Sequence, residues 1–346
     1  MHMADALLSP AVGAGCWALS GSVLAYCAGR TRKAIDDHKV PLMGVLGAFV
    51  FAAQMINFTI PGTGSSGHIG GGLLLAILLG PHAAFLTIAS VLTVQSLFFA
   101  DGGLLALGAN IFNLGAFPCF VGGPIFRAIA GTSPATGRRT AAAVVAAVVG
   151  LEAGAMAVAV QTLLSGRSEL TFVPFAALMG GIHLPIGIIE GLVTAAVLGY
   201  VLKVRPHLAG QAFGTAAEPS GTRRGVAPVL AFLLVAALLG GVVVARFAST
   251  RPDGLEWSIG RLTGSPELRD PDRGLSARLA EIQRRTAVLP DYALPAKDTE
   301  GSGHAARPDA GQQTSLAGIL GALLTLALAG LLGLVMTRRR GQPSAR

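Results

Sequence analysis

Nine long apolar segments run through the sequence, and they constrain the fold more than any other feature. Crossing a bilayer core takes about 20 helical residues, and each segment reaches or approaches that length. Only 13% of the residues are charged, whereas soluble domains carry about 25%. The chain is therefore predicted to be an all-α polytopic membrane protein with about nine transmembrane helices. The segments cover approximately residues 10–29, 41–58, 68–81, 82–100, 104–130, 141–163, 176–202, 226–246 and 315–337.

The third segment is short and follows a glycine-rich run, residues 61–72. Irregular backbone at membrane depth is tolerated only where protein buries it or where it lines a cavity. We therefore expect the chain to enter the membrane here as a broken or re-entrant segment.

Basic residues fall in the short loops after the first, fifth, seventh and ninth segments, whereas the short loops of opposite parity hold only Arg167. The positive-inside rule therefore predicts an N-terminus outside and a C-terminus in the cytoplasm, in a multi-pass protein of the cell inner (cytoplasmic) membrane. The net charge of +8 is thus a topology signal, and we expect no nucleic-acid binding. The residues are Arg30, Arg32, Lys33, Lys39, Arg127, Arg138, Arg139, Lys203, Arg205, Arg223, Arg224, Arg338, Arg339 and Arg340.

A polar stretch divides the chain into two modules. Residues 1–207 form the first membrane domain, and residues 208–224 form a cytoplasmic linker. Residues 225–340 form a second module, in which two helices flank an extracytoplasmic segment, residues 247–314. We expect that segment to contact the outer face of the first domain. Residues 341–346 are a short cytoplasmic tail.

The N-terminus, Met1-His2, is a candidate chelate. A side chain as large as His at position 2 blocks removal of the initiator Met, so we expect a free α-amine on Met1. The Met1 amine, the His2 amide nitrogen and the His2 imidazole can close fused five- and six-membered rings around one metal ion. His68 lies in a loop on the same predicted face and can fill the fourth corner. Four nitrogens in a square suit Ni(II) or Cu(II) and do not suit tetrahedral zinc.

Three polar residues are candidates to support that site. Ser66 is expected to bond the second ring nitrogen of His68 or His2, as outer-shell groups do. Asp101 is expected to cap the fifth helix near the same face. Asn57 either orients the metal loop or makes the helix-to-helix hydrogen bond that is the commoner use of such amides.

Glu152, His183 and Glu190 fall within apolar segments, where ionisable groups are costly and mark functional sites by default. We expect an intramembrane polar cluster. The sequence leaves open whether the cluster couples transport or holds helices together.

Other functions are less consistent with the residues. Gly62 and Gly67 have the spacing of a phosphate-binding loop, but His68 and Ile69 stand where Lys and Ser/Thr are required. An intramembrane hydrolase using Ser66 and His183 is the alternative from another class, although no G-x-S-x-G motif is present. A metal sensor would need a signalling domain, which the short tail does not supply. We therefore expect no catalytic residues and no enzymatic activity.

Several stretches together resemble the substrate-capture (S) components of energy-coupling-factor (ECF) transporters for nickel and cobalt, of the CbiM/NikM type. The second module is similar to the small PDGLE accessory component (CbiN/NikN-like), here fused at the C-terminus as in NikMN-type proteins. The stretches are residues 1–10, 41–58, 64–68, 95–113 and 181–187, and in the second module residues 252–256 and 289–295.

The resemblance implies a seven-helix capture domain whose N-terminus folds inward from outside. It implies that Met1, His2 and His68 hold the metal, with no cofactor besides the transported Ni(II) or Co(II). It also implies a transmembrane coupling (T) component and cytoplasmic ATPase subunits as partners. Nickel is favoured over cobalt, which would supply cobalamin biosynthesis, because a planar all-nitrogen set suits nickel. Met3, Ala6 and Leu7 depart from the family pattern of Ile and Gly-aromatic at these positions.

Overall fold

The computed structural model describes residues 1–34, 39–132, 135–204, 212–213, 227–266, 268, 274–294 and 310–338. Within these ranges, seven helices are long and apolar enough to cross a membrane. The prediction of an all-α polytopic membrane protein is therefore confirmed. Its count of nine is not, because the second helix has 16 residues and the third only 8.

The first domain contains α1 to α7, and the second module contains α8 to α11. A two-stranded hairpin, β1 (Phe58–Thr59) and β2 (Ser66–Gly67), lies between α2 and α3. The helices are α1 (Pro10–Ala34), α2 (Lys39–Gln54), α3 (Gly72–Leu79), α4 (Pro81–Phe99), α5 (Leu107–Ala130), α6 (Thr136–Ser165), α7 (Phe172–Val204), α8 (Ala227–Val242), α9 (Gly254–Thr263), α10 (Leu275–Thr286) and α11 (Ala310–Arg338).

The prediction of a broken third segment is confirmed. The hairpin leads into the glycine run, and the helix begins only at Gly72. Gly71 has a φ of +76°, and a Cβ there would lie 2.6 Å from Val50 Cγ1, so this tight entry excludes any side chain. Every residue of α3 is buried. The loop before α3 is therefore fixed against the centre of the bundle.

Small residues let helices of the first domain approach closely. A Cβ on Gly187 of α7 would lie 2.9 Å from Val148 Cα of α6, and one on Gly191 would lie 2.3 Å from Val144 Cα. Close approach at small residues is the usual basis of helix packing in membranes. The α6–α7 pair is therefore tightly packed, and it fixes the position of the polar residues on α7.

The second module packs against α2. A Cβ on Gly321 of α11 would lie 1.9 Å from the Phe51 ring, and one on Gly318 would lie 3.1 Å from Gly241 Cα of α8. The two helices of the module thus meet each other and α2 through glycines.

The connecting segment between α8 and α11 (residues 247–294), in its described residues 247–266, 268 and 274–294, covers the end of the bundle that carries the N-terminus. Ser249 N donates to Asn57 O (2.8 Å), and Val288 N donates to Phe98 O (2.9 Å). Trp257 Nε1 donates to Thr63 O (2.9 Å). The expectation that this segment contacts the first domain is therefore confirmed.

Several predictions lie outside the described residues. They concern most of the linker 208–224, the whole tail 341–346, and the basic residues Arg205, Arg223, Arg224, Arg339 and Arg340.

Candidate metal centre

The first eight residues form an N-terminal plug (residues 1–8) that folds into the bundle instead of extending from it. Met3 and Leu8 are completely buried, and Met1 is 5% exposed. Chain termini are usually poorly ordered unless contacts tie them down. A buried terminus therefore requires specific anchors.

Those anchors come from the 101–113 region. Asn110 clamps the backbone of Met3, since its Oδ1 accepts from Met3 N (2.8 Å) and its Nδ2 donates to Met3 O (3.2 Å). Asp5 Oδ1 accepts from Ala106 N (2.9 Å). A Cβ on Gly103 would lie 1.8 Å from that Asp5 oxygen. The glycine therefore gives the plug the space that it needs.

The amine of Met1 pairs with a residue of the connecting segment. Its nitrogen lies 2.9 Å from Asp253 Oδ2 and donates a hydrogen bond to it. Burial alone would raise the pKa of Asp253, but the charge and hydrogen bond of the amine outweigh burial and leave that pKa below its ordinary value. Asp253 is therefore a carboxylate facing the amine.

His2 lies beside Asp101. Its Nδ1 is 3.3 Å from Asp101 Oδ1, and Tyr292 OH donates to the other oxygen of the same carboxylate. His2 Nε2 is buried and has no hydrogen-bond partner. Burial lowers the pKa of His2, although the Asp101 charge opposes this shift.

His68 presents one free ring nitrogen. Its Nδ1 lies 3.0 Å from Ile69 O and can donate to it only as N–H, which leaves the lone pair on Nε2. Burial, helped by the nearby Met1 amine and His2, lowers the pKa of His68 to about 4. The imidazole is therefore neutral above that pH, as a metal ligand must be. The rings of His2 and His68 stack with their centroids 5.5 Å apart.

Glu190 fixes the loop behind His68. Its two carboxylate oxygens accept from Gly70 N (2.8 Å) and Gly71 N (3.0 Å). Gln54 Nε2 donates to Gly70 O (2.9 Å), and Gln95 Nε2 donates to Gln54 Oε1 (2.8 Å). The position of His68 therefore depends on side chains from α2, α4 and α7.

A small cavity of about 10 Å³ opens among these groups. It is lined by Met1, His68, His183, Asp253 and Gly254, among others. A volume of about 10–15 Å³ is the least that holds one water molecule. The cavity therefore suits one small occupant such as a single ion, not an organic molecule.

The donor set fits a metal only if backbone nitrogens take part. Within the described ranges, no three His, Cys, Asp or Glu side chains form a group that could hold an ion. The Met1 amine and the His2 amide would have to supply the missing nitrogens. The six-membered ring closes through His2 Nδ1, which here faces Asp101. Coordination therefore requires the His2 imidazole to turn away from Asp101.

The contacts expected of Ser66, Asp101 and Asn57 are not those that the structure shows. Asp101 does contact His2, but it does not cap α5, which begins six residues later at Leu107. Ser66 does not bond an imidazole, because its hydroxyl donates to Arg251 O (2.7 Å). Asn57 accepts from Ser249 through its backbone oxygen, and its buried Oδ1 has no partner. Its side chain therefore makes neither of the contacts expected for it.

The expected intramembrane cluster does not form, because its three members are not hydrogen-bonded to one another. His183 Nδ1 donates to Met179 O (2.7 Å) and the ring lines the cavity. Glu190 binds the glycine loop, and Glu152 lies beside Gly180 with Oε1 unpartnered. The hydrolase arrangement is also absent, since neither Ser66 nor His183 is hydrogen-bonded to the other.

Sequence reasoning missed Asp253 as a member of this site. The available signal was the Asp253-x-x-Glu256 spacing of a capping box, which predicts the start of α9 but not its contact. The sequence placed Asn110 near the outer membrane face, together with Asn57, but it did not predict that Asn110 clamps the plug.

The fold is that of a membrane-embedded helical bundle, with a small buried cavity at the end that carries the N-terminus. The chain belongs to the family described as the cobalt uptake substrate-specific transmembrane region, CbiM, which matches residues 2–208. A PDGLE domain matches residues 227–338.

Known proteins agree with this assignment. A protein of Archaeoglobus fulgidus named as a fused nickel transport protein, NikMN, is 34% identical over 98% of both chains. The fused nickel transport protein NikMN of Rhodobacter capsulatus is 29% identical over 85% of this chain and 88% of its own. A crystal structure of a truncated transition metal transporter superposes with a TM-score of 0.52 and 33% identity, over 59% of this chain and 99% of that one. These relatives are metal transport proteins, and the chain is a nickel/cobalt transport component of this fused type.

Proposed function

We propose that the chain is the substrate-capture subunit of an ECF-type transporter that imports Ni(II), with Co(II) as the alternative substrate. The observation that carries this proposal is the grouping of Met1, His2 and His68: Met1 and His68 line one ion-sized cavity, and the His2 ring stacks on the His68 ring. The ion would be held by the amine, by the amide and Nδ1 of His2, and by Nε2 of His68.

Electrostatics supports a cation at this point. Burial lowers the pKa values of both imidazoles, which favours the neutral form that a metal ligand needs. Asp101 and Asp253 supply negative charge close to His2 and Met1. A planar all-nitrogen set favours nickel, whereas the Irving–Williams order separates nickel from cobalt only modestly.

We further propose that residues 1–207 are the capture domain, joined by the cytoplasmic linker 208–224 to the module 225–340. The N-terminus would face outward in the cell inner membrane. The chain lacks a phosphate-binding lysine in its glycine loop, so energy would come from cytoplasmic ATPases through a transmembrane coupling protein.

Ligand removal tests the site. In the purified chain, His68→Gln is expected to weaken Ni(II) binding more than about 100-fold, since loss of an outer-shell partner alone costs 10–100-fold. His82→Gln is the matched control, because His82 packs against Tyr26 and Phe120 and lines no part of the cavity. Isothermal titration with Ni(II) and Co(II) in parallel measures both affinities. If His68→Gln bound Ni(II) with the wild-type affinity, the proposed metal site would be rejected.

Transport itself needs a separate test. Vesicles that contain the chain with its proposed partners, oriented with the ATPases inside, should accumulate Ni(II) only when ATP is supplied in the lumen. Equal accumulation without ATP would reject the ATP-driven mechanism and leave the metal site unaffected.

A further inference from the structure

We propose that Asp253, from the PDGLE domain, is a positioning residue of the metal centre that orients the Met1 amine and balances the charge of the bound cation. This inference rests on the proposed function above, because it assigns a role at the same site. The site would then be formed by residues of both modules.

The contact is direct and shielded. Asp253 Oδ2 lies 2.9 Å from the Met1 nitrogen, and the two side chains are 20% and 2% exposed. The partners are 252 residues apart in sequence, so only the docking of the connecting segment brings them together. A pair this enclosed is screened much less by water and salt than a surface pair.

The carboxylate is held in one orientation. Asp253 caps α9, and its Oδ1 accepts from Leu255 N (2.8 Å) and Glu256 N (2.9 Å). Glu256 Oε2 in turn accepts from Asp253 N (3.0 Å), which completes a capping box. Oδ1 is thus occupied by the helix, and Oδ2 is left for the amine.

The backbone before Asp253 is anchored to the hairpin that precedes His68. Ser66 N donates to Pro252 O (2.8 Å), and Ser66 Oγ donates to Arg251 O (2.7 Å). Gly254 follows, and a Cβ there would lie 3.0 Å from His183 Cε1. The Asp253-Gly254 turn therefore rests on the cavity wall with no space for a side chain at position 254.

This arrangement suits a metal-bound amine. A neutral amine that coordinates an ion keeps two N–H groups, so it can still donate to Oδ2 while its lone pair binds the metal. Outer-shell acceptors of this kind orient the ligand and raise its basicity. A divalent ion held by a deprotonated amide and neutral nitrogens retains one positive charge. Burying that charge is costly unless an opposite charge faces it.

Two substitutions separate this role from helix capping. Asp253→Asn and Asp253→Ser both keep a side chain that caps α9, since Asn and Ser are strong N-cap residues. Both remove the charge that faces the amine. Glu256→Gln is the matched control, because Gln also completes a capping box and the exposed Glu256 does not contact Met1. His68→Gln serves as the reference for complete loss of the site.

Titration of each full-length chain with Ni(II) is the test. We expect Kd to rise about 10–100-fold for Asp253→Asn and Asp253→Ser, and we expect Glu256→Gln to bind like wild type. In the metal-free protein, both Asp253 variants should also increase the rate at which an acylating reagent modifies the Met1 amine. A purely capping role would leave that rate unchanged in these variants.

The outcomes distinguish the two proposals. Unchanged or tighter Ni(II) binding by both Asp253 variants, with binding lost in His68→Gln, would overturn this inference alone. Wild-type binding by His68→Gln would reject the proposed metal site itself. Equal weakening by Glu256→Gln and Asp253→Asn would assign the effect to α9 and overturn the positioning role.

Discussion

At the scale of residues, similar side chains have different roles because their partners differ. Glu190 and Glu152 are carboxylates on the neighbouring helices α7 and α6. Glu190 accepts two backbone hydrogen bonds from the glycine run after His68. Glu152 is half-buried, and one of its oxygens has no partner. The first is therefore part of the support of the site, and the second is not.

Glu190→Gln should destabilise the protein by about 1–3 kcal/mol, the cost of leaving a buried donor unsatisfied. The reason is that the Gln amide group would face Gly70 N or Gly71 N, two donors opposing each other. Thermal unfolding in detergent measures the change, and Ni(II) affinity should fall with it because His68 follows this loop. Glu152→Gln is the control, and a loss equal to that of Glu190→Gln would contradict this account.

Two asparagines offer a second matched pair. Asn110 makes two hydrogen bonds to the Met3 backbone, whereas the Asn57 side-chain oxygen has no partner. Asn110→Ala should weaken Ni(II) binding about 10–100-fold, the usual effect of losing outer-shell support. Asn57→Ala should stay within about threefold, because the contact of Asn57 with Ser249 uses only the backbone. Calorimetric titration compares the two, and the reverse order would refute the assigned anchors.

The sequence allowed part of this site to be predicted. Chelate ring size predicted Met1 and His2 as ligands, which stays a prediction. The distribution of basic residues put His68 on the same face as the terminus, and the His68 ring does stack on that of His2. The contacts of Ser66 and Asp101 were beyond such reasoning. A hydroxyl or carboxylate in a loop can bond any nearby group, and the nearest ones here belong to residues 251 and 292.

At the scale of elements, glycines determine how the second module docks. Gly321 and Gly330 both lie on α11, but they face different surroundings. A Cβ on Gly321 would enter the buried Phe51 ring, whereas a Cβ on Gly330 meets nothing within 4 Å. Helix geometry alone predicts the two faces of α11, but it does not predict which glycine meets Phe51.

Substitution by Ala should therefore have opposite signs at these two positions. Gly321→Ala should destabilise by about 1–3 kcal/mol through overpacking, because Phe51 is completely buried and cannot swing away. Gly330→Ala should be neutral or should stabilise by about 0.5–1 kcal/mol, since Ala favours helix over Gly. Thermal unfolding in detergent distinguishes the two. Equal effects would mean that α11 does not pack on α2 as described.

At the scale of the whole molecule, the connecting segment of the second module packs on the first domain beside the N-terminal plug. Hydropathy and charge predicted the membrane helices, because each depends only on local sequence. The contact between Asp253 and the Met1 amine could not be predicted from hydropathy and charge. It depends on α8 and α11 docking on α2, and no local pattern encodes that docking.

A designed cross-link tests this docking. Thr59 Oγ1 lies 3.0 Å from Ser249 Oγ, so the two Cβ atoms are near the separation that a disulfide requires. The Thr59→Cys, Ser249→Cys double variant should oxidise to a bridge that keeps the modules together after the linker 208–224 is cleaved. Denaturing electrophoresis with and without reductant measures the bridge. Thr59→Cys paired with Thr286→Cys of α10 is the control, and separation of the modules in the first pair would contradict the docking.

The proposed site depends most on the free amine of Met1 as a metal ligand. The most direct measurement is a Ni(II) titration of the purified chain beside one extended by a single residue before Met1, with a chain extended at the C-terminus as control. We expect the N-terminal extension to abolish binding, since it removes the amine from its position in the chelate, and we expect the C-terminal extension to have no effect. Binding of equal affinity by the N-terminally extended chain would contradict the claim, and the site would then have to be rebuilt around His68 and His183.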